Sequence, residues 1–164
     1  LKPLADHPRV QLEGWHRAFM QERIDGRLHP QAIALVQRHL EAGDLCCVVT
    51  ATNSFVTRPI VNAFGIEHLV ATEPATENNQ PGANFTGSIA GIPSFKEGKI
   101  TRVNDWLTGL GLRLESIEQS FFYSDSMNDL PLLEKVTNPV ATNPDARLRT
   151  EAEKRNWPIL ELFH

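Results

Sequence analysis

Two aspartates four residues apart, Asp125 and Asp129, follow an apolar run in Tyr123-Ser124-Asp125-Ser126-Met127-Asn128-Asp129-Leu130-Pro131-Leu132-Leu133. A strand ending in one carboxylate, followed by a helix opening on a second, makes a compact oxygen site of the kind that suits Mg²⁺. A plain Ser/Asp helix cap with solvated carboxylates accounts for the same residues, since acidic groups favour a helix start. A second polar cluster is Val48-Val49-Thr50-Ala51-Thr52-Asn53. It sets a Thr hydroxyl at the tip of an apolar strand, before a turn of exposed amides leading into a helix. Such a turn can hold phosphate, and an ordinary Thr or Asn cap is the alternative. The third feature is Lys99, in Phe95-Lys96-Glu97-Gly98-Lys99-Ile100. The helix dipole opposes a cation in the first turn. A phosphoryl oxygen would give Lys99 a reason to be there; a solvated surface lysine is the other account.

The elements that must position these residues alternate between strand-like and helical patterns from Leu45 onward. Leu45–Thr50 is a short apolar run of the buried parallel type. The helix after it carries Val56, Ile60, Val61 and Phe64, with Pro59 expected in the first turn and Gly65 closing it. His68–Thr72 is the next strand, and the polar, Pro- and Gly-bearing stretch from Glu73 to Asn84 is a loop or hairpin. A helix from Gly98 to Leu110 has Ile100, Val103, Trp106 and Leu107 on one face. Ser120–Ser124 forms a strand, Leu130 through Val136 a helix, and Pro139–Ala141 a strand. Asp145–Arg155 is a polar helix and Trp157–Leu160 an edge strand, where Pro158 needs no ladder partner. Alternation of this kind predicts an α/β fold, an open doubly wound parallel sheet, with functional groups at the carboxyl ends of its strands. Before Leu45 the pattern is helical, in Leu12–Ile24 and Gln31–Leu40.

Strand-Thr, then a helix-opening Lys, then strand-Asp with Asp four residues on, resembles the second, third and fourth motifs of the haloacid dehalogenase superfamily. The phosphoserine phosphatase-like members, whose helical cap is inserted early in the chain, are the most similar. The resemblance implies a Rossmann-like core over residues 29–164 and the tail of a helical cap over residues 1–28. It implies that Thr50, with the Ala51 amide, binds a phosphoryl oxygen and that Lys99 neutralises phosphate and nucleophile. Asp125 would ligate Mg²⁺, with Asp129 as a ligand or a partner behind it. The chemistry implied is phosphoryl transfer onto an Asp carboxylate and hydrolysis of the resulting aspartyl-phosphate.

One departure stands out. The family's first motif, Asp-x-Asp-x-Thr at the end of a central first strand, is matched at none of Asp6, Asp25, Asp44, Asp105, Asp125, Asp129 or Asp145. The expectation is therefore a fragment, inactive by itself, whose nucleophile lies outside this chain. A phosphate- and Mg²⁺-binding remnant is the competing class, and a phosphotransferase is the chemical neighbour. A dinucleotide-binding domain would need a Gly-rich first turn, which Ala51-Thr52-Asn53-Ser54 does not supply.

A formal net charge of −4 over 164 residues, with no Lys/Arg-rich run, speaks against nucleic acid as a partner. No apolar stretch is long enough to span a bilayer. Adjacent Cys46 and Cys47 would point to opposite faces of a strand and read as buried thiols suited to the cytoplasm. The six histidines show no metal-ligand spacing. The partner expected is a small phosphorylated molecule; the oligomeric state is left open.

Overall fold

The computed structural model describes residues 1–163. They fall into two compact units, Leu1–Ser94 and Phe95–His164, and each is taken by itself.

In the first unit a short helix α1 (Lys2–Ala5) precedes α2 (Arg9–Phe19), which runs on as one π-helical turn over Met20–Ile24. Helix α3 (Pro30–Glu41) opens on a proline, whose missing N–H costs nothing at a helix start. Strand β1 (Cys47–Asn53), helix α4 (Ser54–Ala63) and strand β2 (His68–Thr76) form a parallel β-α-β unit. The Asn53 side chain caps α4 by accepting from the Val56 N–H at 3.0 Å. Beyond its other end Gly65 takes a φ of +76°, open to glycine at no steric cost. That lets the Ile66 N–H reach the Val61 carbonyl at 3.3 Å and the Gly65 N–H reach Asn62 at 2.9 Å, a closed C-terminal cap. Pro59 lies inside α4 and not in its first turn, because the helix already starts at Ser54.

The polar stretch after β2 is a hairpin. β2 runs on to Thr76 and pairs antiparallel with β3 (Phe85–Ala90), with Glu73 opposite Ala90 and Pro74 opposite Ile89. Pro74 is tolerated because β2 has passed its last pairing with β1, at Thr72, and has a single neighbour there. Val61, Ile66, Val70, Ala71 and Phe85 are the buried apolar residues around this sheet.

The second unit holds α5 (Glu97–Gly109), β4 (Phe121–Ser124), α6 (Leu130–Leu133), β5 (Asn138–Thr142), α7 (Ala146–Arg155) and β6 (Ile159–Leu160). Its strands are parallel in the order β4-β5-β6. Leu133, Ala141, Leu148 and Ala152 form a buried cluster against which Phe122, Met127, Trp157 and Ile159 pack. The helix read through Val136 is one turn, Leu130–Leu133, preceded by a 3-10 turn at Met127–Asp129. The edge strand is only Ile159–Leu160, and Pro158 just before it accepts from the Ala141 N–H at 2.9 Å.

The alternating α/β architecture with parallel strands and helical crossovers is the one expected from the sequence. Two features differ. The strands pair as two three-stranded sheets, β1-β2-β3 and β4-β5-β6, and β3 runs antiparallel. Each sheet ends on the strand that carries a candidate residue, β1 with Thr50 and β4 leading into Asp125. Among the described residues, no helix is long and apolar enough to cross a membrane.

Candidate functional site

At the carboxyl end of β4 a buried polar cluster forms. Lys99, in the first turn of α5, is 7% exposed and Asp129 likewise 7%. The Lys99 Nζ donates to Asp129 Oδ1 at 2.5 Å. The other oxygen, Oδ2, accepts from the Ser124 hydroxyl at 2.7 Å. Ser124 Oγ in turn accepts from the Ser126 N–H at 3.2 Å. A charge this deep is stable only when paired and hydrogen-bonded, and both conditions hold for Asp129. Lys99 is thus no solvated surface lysine: its ammonium sits where the helix start disfavours a cation, held there by a carboxylate.

Asp125 is exposed, beside this cluster but not part of it. Mg²⁺ commonly binds through one or two carboxylates, keeping waters and substrate phosphate as its other ligands. One exposed carboxylate next to a second that is already neutralised fits that donor set. Among the described residues no three His, Cys, Asp or Glu side chains group together for a metal.

A residue without an assigned role in the sequence reading ties this loop down. Asp145 caps α7, accepting from Arg147 N–H at 2.9 Å and Leu148 N–H at 2.8 Å through Oδ1. Its Oδ2 accepts from the Met127 N–H at 3.0 Å. The amides of Met127 and Leu148, then Arg147, hold its carboxyl below the usual carboxylate range. The helix cap was visible in Asn143-Pro144-Asp145 before a helical pattern; the reach to Met127 had no local signal. Ser124, whose hydroxyl secures Asp129, could have been found as the buried polar residue ending an apolar strand.

Thr50 is not at the strand tip. β1 pairs Val49 with Val70 and then Asn53 with Thr72, so two extra residues bulge out between those pairs. Thr50 begins the bulge, and its Oγ1 accepts from the Thr52 N–H at 3.1 Å. Ala51 and Thr52 are exposed. The bulge sets this stretch of backbone outside the regular ladder, which a phosphate-binding turn requires. Thr50 belongs to the first unit, and Lys99, Asp125 and Asp129 to the second.

Between α2, the start of α4 and the β2–β3 hairpin, the first unit has a groove of about 560 Å³. Its lining includes Arg9, Glu13, His16 and Arg17 of α2, Ser54, Phe55 and Arg58 of α4, and Glu73. The Arg9 guanidinium lies 5.0 Å from the centre of the Phe55 ring and 4.4 Å from that of Phe85. Those rings meet edge-on at 5.2 Å. Arg9 Nε also donates to Glu13 at 2.9 Å, His16 Nε2 lies 2.8 Å from the Val56 carbonyl, and Ser54 donates to Glu73. Charged and aromatic groups therefore share one concave surface beside the antiparallel β2–β3 pairing, and a concave surface of this kind can take a ligand.

The chain is similar to several known proteins. It is 45% identical over 160 residues to a histidinol-phosphatase of Neisseria meningitidis, covering 98% of this chain and 71% of that one. It spans about half, 51%, of two Mycobacterium tuberculosis relatives at 32% identity. A crystal structure of a protein of unknown function from Bordetella pertussis superposes with a TM-score of 0.93 at 52% identity, over 98% of this chain and 70% of that one. A phosphoserine phosphatase solved as a phospho-aspartyl intermediate analogue shares the fold at a TM-score of 0.65 and 17% identity, over 98% of this chain and 68% of that one. The profile of haloacid dehalogenase-like hydrolases matches residues 2–134. With that profile spanning most of the chain and a 45% identical relative covered over 71% of its length, the chain belongs to the haloacid dehalogenase-like hydrolase family.

Proposed function

We propose that this chain is the larger part of a Mg²⁺-dependent phosphomonoesterase acting on the phosphate ester of a small amino alcohol. Histidinol phosphate, named by the 45% identical relative, is the first substrate to test. The observation that carries the reading is the buried Lys99–Asp129–Ser124 cluster beside the exposed Asp125. Residues 1–28 act as the end of a cap and 29–164 as the core, in a cytoplasmic protein with reduced thiols.

Each residue then has a role. Thr50 donates its hydroxyl to a phosphoryl oxygen, and the Ala51 amide assists. Lys99, fixed by Asp129, offsets negative charge as the phosphoryl group moves to the Asp nucleophile, which lies outside this chain. Asp125 would hold Mg²⁺, with Asp129 behind it, since Lys99 and Ser124 already engage both Asp129 oxygens. The ion, when bound, would lower the cost of charge on the transferring phosphoryl group. Water then hydrolyses the aspartyl-phosphate.

Protein made from the complete gene should release phosphate from histidinol phosphate only with Mg²⁺, and Asp125→Asn should abolish the release. Transfer of the phosphoryl group to an added alcohol in preference to water would identify a phosphotransferase. No release from any ester, with Mg²⁺ still bound, would identify a remnant.

A further inference from the structure

The loop that carries Asp125 is clamped by a single residue on another element. The Asp145 N–H donates to the Asp125 carbonyl at 2.7 Å. Its Oδ2 accepts from the Met127 N–H at 3.0 Å, two residues further along that loop. Its remaining oxygen closes the start of α7 through the Arg147 and Leu148 amides.

Closing a helix needs only one acceptor oxygen, and Ser, Thr or Asn would do it about as well. A carboxylate is required only if the second oxygen has its own task, here the Met127 amide. With the Asp125 carbonyl and the Met127 N–H both engaged, the backbone that follows Asp125 is held at two points. The ordering entropy that ion binding would otherwise have to offset is then already spent in folding.

We infer that Asp145 is a positioning residue for the cation site, holding the Asp125–Met127 backbone so that the Asp125 carboxylate meets Mg²⁺ preorganised. This rests on the reading of Asp125 as the Mg²⁺ ligand. Both carboxylate oxygens of Asp145 already accept backbone N–H groups, so it acts through the loop and not as a ligand.

Asp145→Asn separates the two tasks of the side chain. The amide oxygen keeps the Arg147 and Leu148 N–H groups, while the amide nitrogen, a donor, faces the Met127 donor and cannot accept from it. Three quantities are to be measured on the full protein: the melting temperature without metal, the Mg²⁺ dissociation constant by calorimetry without substrate, and hydrogen exchange at the Met127 amide. We expect Asp145→Asn to melt close to the parent, to exchange faster at Met127, and to bind Mg²⁺ roughly tenfold more weakly, at the low end for loss of a partner behind a ligand. Asp145→Ala, which loses the cap too, should show the same weakening together with a lower melting temperature. An Asp145→Asn protein that exchanges faster at Met127 yet binds Mg²⁺ as tightly as the parent would overturn the inference. Asp125→Asn is the control on the reading beneath it. If that variant binds Mg²⁺ like the parent, the ligand assignment has failed instead.

Discussion

Lys99 and Asp129 approach to 2.5 Å with both residues buried, thirty positions apart in sequence and on different helical elements. A carboxylate in this setting tolerates burial only because an ammonium and a hydroxyl share it. Lys99→Met should therefore cost about 3–5 kcal/mol of folding free energy, the usual penalty for orphaning a buried charge. Ser124→Ala removes one hydrogen bond to a charged acceptor and should cost about 1.5–3 kcal/mol. Replacing both members of the pair, Lys99→Met with Asp129→Leu, should recover part of the loss. Urea denaturation ranks the variants. A Lys99→Met protein within about 1 kcal/mol of the parent would mean that the pair is not formed in solution.

Glu73 lines the groove beside Ser54, together with Arg9, Arg17 and Arg58, and its replacement tests whether a carboxylate there favours a cationic leaving group. Glu73→Gln keeps the size and the acceptor oxygen but removes the charge. For histidinol phosphate kcat/KM should fall about tenfold, the equivalent of about 1.4 kcal/mol, while p-nitrophenyl phosphate turns over as before. Equal losses on both substrates would assign Glu73 to the fold and not to selection.

Burial pushes the Cys47 thiol up to about 12 from its ordinary 9.0, outweighing a backbone hydrogen bond that acts the other way. The folded protein therefore keeps the proton that the unfolded chain gives up above pH 9. Stability from this group is intact below pH 9 and falls as pH rises from 9 toward 12. The slope should approach about 1.4 kcal/mol per pH unit. Other groups titrate in that window, so the quantity to compare is the parent against Cys47→Val. The difference in melting temperature should shrink from pH 9 to pH 11. A difference that stays constant would place the thiol in contact with water.

A tight turn precedes α5. The Gly98 N–H donates to the Phe95 carbonyl at 2.9 Å, and Lys96 between them holds φ +48° and ψ −123°. That conformation suits glycine at the second position of a type II′ turn. Lys96→Gly should raise stability by about 1 kcal/mol through relief of strain. A loss of stability on thermal melting would show that the Lys96 side chain contributes more than its backbone costs.

What the sequence made legible follows physical range. Ser120–Ser124 and the acidic turn after it were readable because apolar run, carboxylate and helix start adjoin in the chain. Thr50 was read as the end of a strand, whereas β1 runs on through a bulge to Asn53, because register depends on β2. Strand β3 was obscured by Gly87 and Ser88, which weaken the alternation that marks a strand. The extension of β2 through Pro74 was hidden for the same kind of reason: a proline forbids a central strand, and only the topology shows that one neighbour is present there. Burial of Lys99 and the bond from Asp145 to Met127 are tertiary, set by elements that meet only on folding.

The bulge in β1 has a consequence for how this segment can change length. Between Val49 and Asn53 the strand advances four residues while β2 advances two, from Val70 to Thr72. The excess is even, so side chains before and after it keep the same alternation, and Asn53 remains able to cap α4. A single-residue deletion within 50–52 would turn Asn53 to the opposite face and uncap the helix. Insertions here should therefore keep the sheet in phase only in steps of two, whereas any two-residue deletion would remove Thr50 or Ala51 from the proposed phosphate-binding stretch.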